Sequence, residues 1–224
     1  MRRSAFLSVA AALAFAVSAP ANLHAGAPSH EGAGPVPVHF SDSEKADLQR
    51  VSAYLNSLKS VEGRFTQIAG NGKSAQGTFY LRKPGRMRFE YEKPNPTLIV
   101  ADGTTVAVMN ASLKTTDRYP LLNSPLRLLL SDNIDLTKDS HISAIKREQG
   151  ALTVTARENA GAAIGRVTLT FADSGSSLEL RQWDVVDGAG SHTAISVNGM
   201  REAADIPAQM FIIEDLSPFK KTGR

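Results

Sequence analysis

Residues 76–103, QGTFYLRKPGRMRFEYEKPNPTLIVADG, decide the fold class. Met87, Phe89 and Tyr91 fall on one side of the middle stretch; Arg86, Arg88, Glu90 and Glu92 fall on the other. Such alternation predicts an antiparallel strand with one apolar and one wet face. Phe79 and Leu81 alternate in the same way just before it, and Pro84-Gly85 supplies the turn between the two strands. Pro94 and Pro96 then interrupt the ladder. Leu98 to Ala101 is a short apolar strand, and Asp102-Gly103 is a hairpin signal. Three consecutive strands and the entry to a fourth are therefore expected.

The flanking sequence adds more of the same. Glu62 to Ala69 and Ala75 to Arg82 read as strands around an Asn71-Gly72 turn. Further strands are expected at Thr105 to Asn110, Leu113 to Tyr119, Asp135 to Thr137, Ile142 to Glu148 and Leu152 to Glu158. The remaining ones are Arg166 to Ala172, Leu178 to Val186, Thr193 to Val197 and Gln209 to Ile213, with Gly-containing turns between them. This density predicts a mainly β fold, built on one large, curled antiparallel sheet.

Two stretches read as helix. Ser41 to Glu44 is a capping box, and Leu48, Val51, Leu55 and Leu58 follow at helical spacing to about Lys59. A single apolar stripe needs a sheet to lie on. The second stretch, Leu121 to Leu130, holds six leucines in ten residues, with Ser124-Pro125 as a cap and first-turn proline. A helix apolar nearly all round is either buried core or the cover of an apolar cavity.

The chain opens with Arg2-Arg3, an apolar run from Ala5 to Val17, and small residues. That order predicts a secretory signal peptide over 1–25; the apolar run is short for a membrane span. Residues 26–40, rich in Gly, Ala and Pro, are the expected flexible leader, and 41–224 a single domain. Without Arg2 and Arg3 the 25 basic residues become 23 against 22 acidic ones, so the net charge falls from +3 to +1. No basic cluster points to nucleic acid.

Candidate chemistry is sparse. Of five histidines, His24, His30 and His39 lie in the signal or leader; His141 and His192 have no metal-ligand spacing, and there is no cysteine. Neither a nucleophile elbow nor a phosphate loop is present. Glu90 and Glu92 belong to the wet face of their strand. No enzyme, cofactor or metal is expected. Counting by twos from Phe79 and Leu81 brings Lys83 to the inner face and leaves Arg82 outside with Tyr80. A cation at the edge of an apolar interior needs carbonyl or carboxylate partners.

The order Gly77, Phe79, Leu81, Arg82, Lys83, Pro84, Gly85, Arg88, Phe89, Tyr91, Pro94 and Asp102-Gly103 resembles the LolA family of periplasmic outer-membrane lipoprotein carriers. Gly63 to Gln67 is similar to that family's first strand, and Pro120 to Leu130 to its central Leu-rich helix. The resemblance covers residues 42–215. It implies an incomplete, half-open β-barrel whose concave apolar face is covered by a lid of short α-helices. It also implies a monomeric periplasmic chaperone that takes acylated lipoproteins from a lipoprotein-releasing ABC transporter of the inner membrane. Delivery would be to an outer-membrane acceptor or to the outer membrane itself.

On that reading the acyl cavity is walled by Phe79, Leu81, Met87, Phe89, Tyr91, Leu98, Val100, Leu169 and Trp183, with Leu126, Leu129 and Leu130 as its plug. An acyl chain of ~16 carbons represents roughly 13 kcal/mol of hydrophobic free energy, so it must be covered in transit. The family has arginine directly before the proline, bonding lid carbonyls; here Lys83 stands there, with Arg82 as the alternative latch. The other readings are a lipid-binding envelope sensor on the same half-barrel, a carrier of a different lipid, and a hydrolase whose site is scattered.

Overall fold

Met87, Phe89 and their alternating neighbours form a strand at Arg86–Tyr91, in a sheet much wider than the stretch itself. The computed structural model describes residues 38–124, 126–158, 165–187 and 189–216. The expected signal peptide, the leader up to residue 37, Pro125, and the turn residues 159–161 and Gly188 lie outside these.

The order is α1 (Asp42–Ser57), β1 (Ser60–Ala69), β2 (Ser74–Arg82), β3 (Arg86–Tyr91), β4 (Thr97–Asp102), β5 (Thr105–Asn110) and β6 (Thr115–Pro120). A 3-10 turn at Leu121–Asn123 and the short α2 (Arg127–Leu130) follow. Then come β7 (Ile142–Glu148), β8 (Ala151–Glu158), β9 (Gly165–Asp173), β10 (Leu178–Asp187), β11 (His192–Glu202) and a second 3-10 turn, Ala208–Phe211. Among the described residues all eleven strands make one antiparallel sheet, in the order β6-β5-β4-β3-β2-β1-β11-β10-β9-β8-β7. The edges, β6 and β7, do not pair, so the barrel is incomplete.

The sheet is strongly curled. β3 and β10 are four strand steps apart, about 19 Å in a flat sheet. Yet the rings of Phe89 on β3 and Trp183 on β10 have centroids 6.0 Å apart, edge to face. Register shifts between Glu62 and Arg64, Leu180 and Gln182, and Ile142 and Ala144 add local twist. Gly77 serves the same end. It stands between Phe65 and Tyr91 in the register, and those rings meet 5.0 Å apart over it. A Cβ there would run into the Phe65 ring, 2.6 Å away, and the Glu90 carbonyl.

α1 forms as its sequence dictates. The Glu44 N–H donates to Ser41 Oγ at 3.3 Å and the Ser41 N–H to Glu44 Oε2 at 2.7 Å. Leu48, Val51 and Leu55 are fully buried against the concave face, each contributing about 1.5–3 kcal/mol.

Residues 121–141 cross from one edge of the sheet to the other, and this crossover carries the leucines. It is not one helix. The 3-10 turn ends at Ser124, which is extended (φ −111°, ψ 146°) as a residue before proline prefers, and helix resumes only at Arg127. Asp135 to Thr137 is not a strand either. The Asp135 carboxylate accepts from Thr137 Oγ1 at 2.5 Å and its N–H at 3.2 Å, while Asn56 and Ser52 of α1 take the neighbouring backbone groups. The expected strand at Gln209 to Ile213 is replaced by the second 3-10 turn, after Pro207. It belongs to a strap, residues 203–216, lying on the convex face over Val100 and Met109.

Candidate functional site

The concave face holds the main core, into which the crossover drops its leucines. Leu121, Leu126, Leu128, Leu129 and Leu130 are each at most 5% exposed and pack with Phe79, Leu81, Met87, Phe89, Leu169 and Trp183. Phe65, Phe79, Phe89, Tyr91 and Trp183 form a chain of ring contacts through the middle. Tyr91 lies on the same face, where its hydroxyl donates to buried Gln67 Oε1 at 2.5 Å and burial pushes its pKa up. The interior is therefore filled by the protein's own side chains. Two buried polar atoms in this wall, Trp183 Nε1 and Thr193 Oγ1, have no hydrogen-bond partner among the described residues.

Leu98 and Val100 do not belong to this wall. The register sets Phe89 opposite Ile99, Arg88 opposite Val100 and Met87 opposite Ala101. Paired residues share a face, so Ile99 and Ala101 point inward while Leu98 and Val100 point to the strap. Continuous apolar sequence hid the parity, because β4 is covered on both faces. That run, apolar on both faces, was the available signal for the strap. Val106 and Val108 of β5 also belong to the inner wall, unforeseen from the sequence.

The end of β2 positions the two cations. The Lys83 ammonium donates to the Leu55 carbonyl at 2.8 Å, at the C-terminal end of α1. That carbonyl also accepts from the Leu58 N–H at 3.3 Å, and the helix dipole favours a cation there. Burial, reinforced by Lys59, brings the Lys83 pKa down to about 8, against the opposing pull of Asp132. Arg82 goes to the convex side and donates to the Ile206 carbonyl of the strap at 3.1 Å; Arg88 does the same to Met210 at 2.9 Å. The turn between β2 and β3 reaches the crossover directly, since the Gly85 N–H donates to the Leu130 carbonyl at 2.9 Å.

The other lid elements are fixed differently. Arg50 of α1 donates to Asp173 at 2.7 and 3.1 Å and to Asp47 at 3.2 Å, and Arg147 of β7 also pairs with Asp47. The Arg50 bonds and the Gly175 N–H hold the Asp173 carboxyl down at about 2. Asn56 of α1 grips Ile134 through both its N–H and C=O, at 2.9 Å each. α1 is thus moored to the β7–β10 half by charge and to the crossover by amide bonds. The leucines of 121–130 are moored chiefly by apolar contact, by Leu121 N–H to Thr104 at 2.8 Å and by the Gly85 bond. Arg127 adds an ion pair with Asp139 at 3.2 Å, and His141 Nδ1 lies 2.7 Å from the same carboxylate.

A pocket of about 380 Å³ lies where the crossover meets the sheet, between Pro84-Gly85, the Gly103-Thr104 turn and residues 121–131. Among the described residues no group of three or more His, Cys, Asp or Glu is placed to hold a metal, and no helix is long and apolar enough to cross a membrane.

The sequence profile of one family, described as outer membrane lipoprotein carrier protein LolA, matches residues 56–214. A protein of Cupriavidus necator named outer-membrane lipoprotein carrier protein is 29% identical over 229 residues, covering 94% of each chain. One of the same name from Xanthomonas campestris pv. campestris is 30% identical over 175 residues, 73% of this chain and 81% of the relative. Among solved structures, a LolA superfamily protein of Nitrosomonas europaea is similar at 12% identity with a TM-score of 0.41, covering 74% of this chain and 97% of that one.

Proposed function

The chain belongs to the LolA family of outer membrane lipoprotein carriers, and from that premise we propose that it carries lipoproteins through the periplasm with their acyl chains held inside the half-barrel. Residues 1–25 act as the export signal, 26–40 as a leader, and 41–224 as one carrier domain. The protein makes and breaks no covalent bond; it receives cargo from an ABC transporter of the inner membrane and passes it to an acceptor in the outer membrane, or to that membrane itself.

The observation that carries this reading is the origin of the side chains filling the concave face. Leu126, Leu129 and Leu130 come from a crossover with few hydrogen bonds to the sheet. Acyl chains entering the interior exchange one apolar filling for another. The difference in free energy is small compared with the roughly 13 kcal/mol that water exposure of a ~16-carbon chain costs. Release then needs no fuel, because return of the leucines drives the chains out. Phe79, Leu81, Met87, Phe89, Tyr91, Leu169 and Trp183 form the wall, joined by Ile99, Val106 and Val108. Lys83 serves as the latch, since its ammonium ties the β2–β3 turn to α1. Arg82 instead holds the strap.

The test is competition against a hydrophobic fluorescent probe bound by the purified protein. A triacylated lipoprotein is expected to displace the probe, and the same protein without its lipid is not. Equal displacement by both forms would overturn the reading.

A further inference from the structure

The pocket at the crossover has an amphipathic lining that the plugging of the interior does not explain. Leu121, Leu130 and Pro84 make its apolar side; Arg86, Arg127 and Thr104 lie on the polar side. Leu122 stands at its rim, 78% exposed, in a protein that buries the neighbouring leucines almost completely. Its charged lining residues are Arg86, Arg127 and Asp102, two basic against one acidic. Arg127 is engaged with Asp139. Arg86 is half-buried, and its guanidinium has no hydrogen bond or ion pair among the described residues. Its cross-strand neighbour is Asp102, so an ion pair would be the ordinary outcome. Asp102 Oδ1 is instead committed to its own turn, accepting from the Thr104 N–H at 2.9 Å, Thr104 Oγ1 at 3.0 Å and the Thr105 N–H at 2.9 Å.

We propose that this pocket docks the phosphate of an anionic phospholipid headgroup at a membrane surface, with Arg86 taking the phosphate and Leu122 entering the acyl region beside it. A planar guanidinium bonds phosphate oxygens in pairs, and the pocket has room for a headgroup. An exposed leucine next to a partnerless arginine matches the layered chemistry of a bilayer surface, charge outside and hydrocarbon beneath. The site shares Leu121 and Leu130 with the filling of the interior but none of its wall residues, and the proposal does not depend on what the interior carries.

The experiment is flotation of the purified full-length mature protein with vesicles of phosphatidylcholine alone or of phosphatidylcholine with phosphatidylglycerol. Wild type is expected to float with the anionic vesicles and not with the zwitterionic ones. Arg86→Gln should weaken that association about fivefold, the effect of one basic residue near a charged surface. Arg86→Lys should retain an intermediate level, and Leu122→Ser should weaken association as well. Arg157→Gln, the same charge change on β8, serves as the control and should float like wild type. Affinity for the hydrophobic probe should be unchanged in Arg86→Gln, which separates this result from any failure of the carrier reading. Equal flotation with both vesicle types would overturn the proposal, as would wild-type flotation of Arg86→Gln. An equal loss in Arg157→Gln would reduce the association to net charge. Displacement by millimolar inorganic phosphate as complete as by added anionic vesicles would reassign the pocket to free phosphate.

Discussion

Arg82 and Lys83 are consecutive, yet they grip elements on opposite faces of the sheet: Arg82 the strap through the Ile206 carbonyl, Lys83 the helix α1 through the Leu55 carbonyl. The alternation of β2 carries one residue past its end at Arg82, where the Lys83 N–H still donates to the Lys59 carbonyl at 2.8 Å. Successive side chains of an extended chain point to opposite faces. Both bonds end on backbone carbonyls, so both depend on the positions of the elements rather than on their side chains. The end of β2 is where the outer strap and the inner lid meet.

Lys83→Leu removes the donor and adds apolar surface at the mouth. Loading with lipoprotein should persist while transfer to acceptor membranes slows about tenfold, corresponding to about 1.5 kcal/mol for a charge-assisted bond that is only half-buried. Lys83→Arg should restore transfer, since a guanidinium is more weakly hydrated and bonds carbonyls in pairs. Arg82→Leu should transfer at the wild-type rate while loosening the strap. The check is release of labelled lipoprotein from all four proteins; trapping by Arg82→Leu alone would make Arg82 the latch.

The Lys83 environment also has a pH signature. Its pKa is about 8 in the folded protein against an ordinary 10.5, chiefly because burial disfavours the ammonium. Between those values the unfolded chain binds more protons than the folded one, so this group's contribution to stability rises with pH across the window. Urea unfolding of wild type and Lys83→Met at pH 7 and pH 10.5 should show the difference moving in favour of wild type at the higher pH. A constant difference would mean that the amine is solvated in the folded protein.

Much of this was legible because strands with one wet face announce themselves. Met87, Phe89 and Tyr91 could only point one way, and the capping box fixed the start of α1. β4 was legible as a strand but not in its orientation, because Leu98 to Ala101 is apolar on both faces. The strap was missed for a related reason. Met210 to Ile213 is an apolar run too short to tell an extended strand from a 3-10 turn by periodicity. The partner of Lys83 was out of reach, since a backbone carbonyl leaves no mark in the sequence.

Arg50→Met should cost about 2 kcal/mol of stability, because Asp173, its side chain 6% exposed, loses two charge-assisted bonds. Probe binding should survive, since these residues lie outside the interior wall. The Asp173 pKa of about 2 sets the sign of the pH effect. A depressed carboxylate stabilises the fold above its unfolded value of about 3.9 and loses that contribution as pH falls toward 2. The stability gap between wild type and Arg50→Met should therefore narrow in acid unfolding below pH ~4; a gap independent of pH would contradict the role given to this pair.

Leu129→Ser and Leu130→Ser should each lower the stability of the empty protein by about 2–4 kcal/mol, as buried Leu truncations do. Plugging residues differ from ordinary core in a second readout. Serine weakens the competitor that ligand must displace, so affinity for the hydrophobic probe should rise while stability falls. Loss of stability with unchanged or weaker probe binding would return these leucines to plain core.

The most direct test of acyl binding uses the chain's single tryptophan, Trp183, buried at 4% exposure in the concave wall and in contact with Phe89. A triacylated peptide with brominated acyl chains quenches an indole only at contact. Emission is expected to fall in proportion to added peptide up to one equivalent, while the non-brominated lipopeptide shifts the emission without quenching and the unlipidated peptide does neither. Lipopeptide that binds with no bromine-dependent quenching would place the acyl chains outside the half-barrel and contradict the claim that its interior is the carrier site.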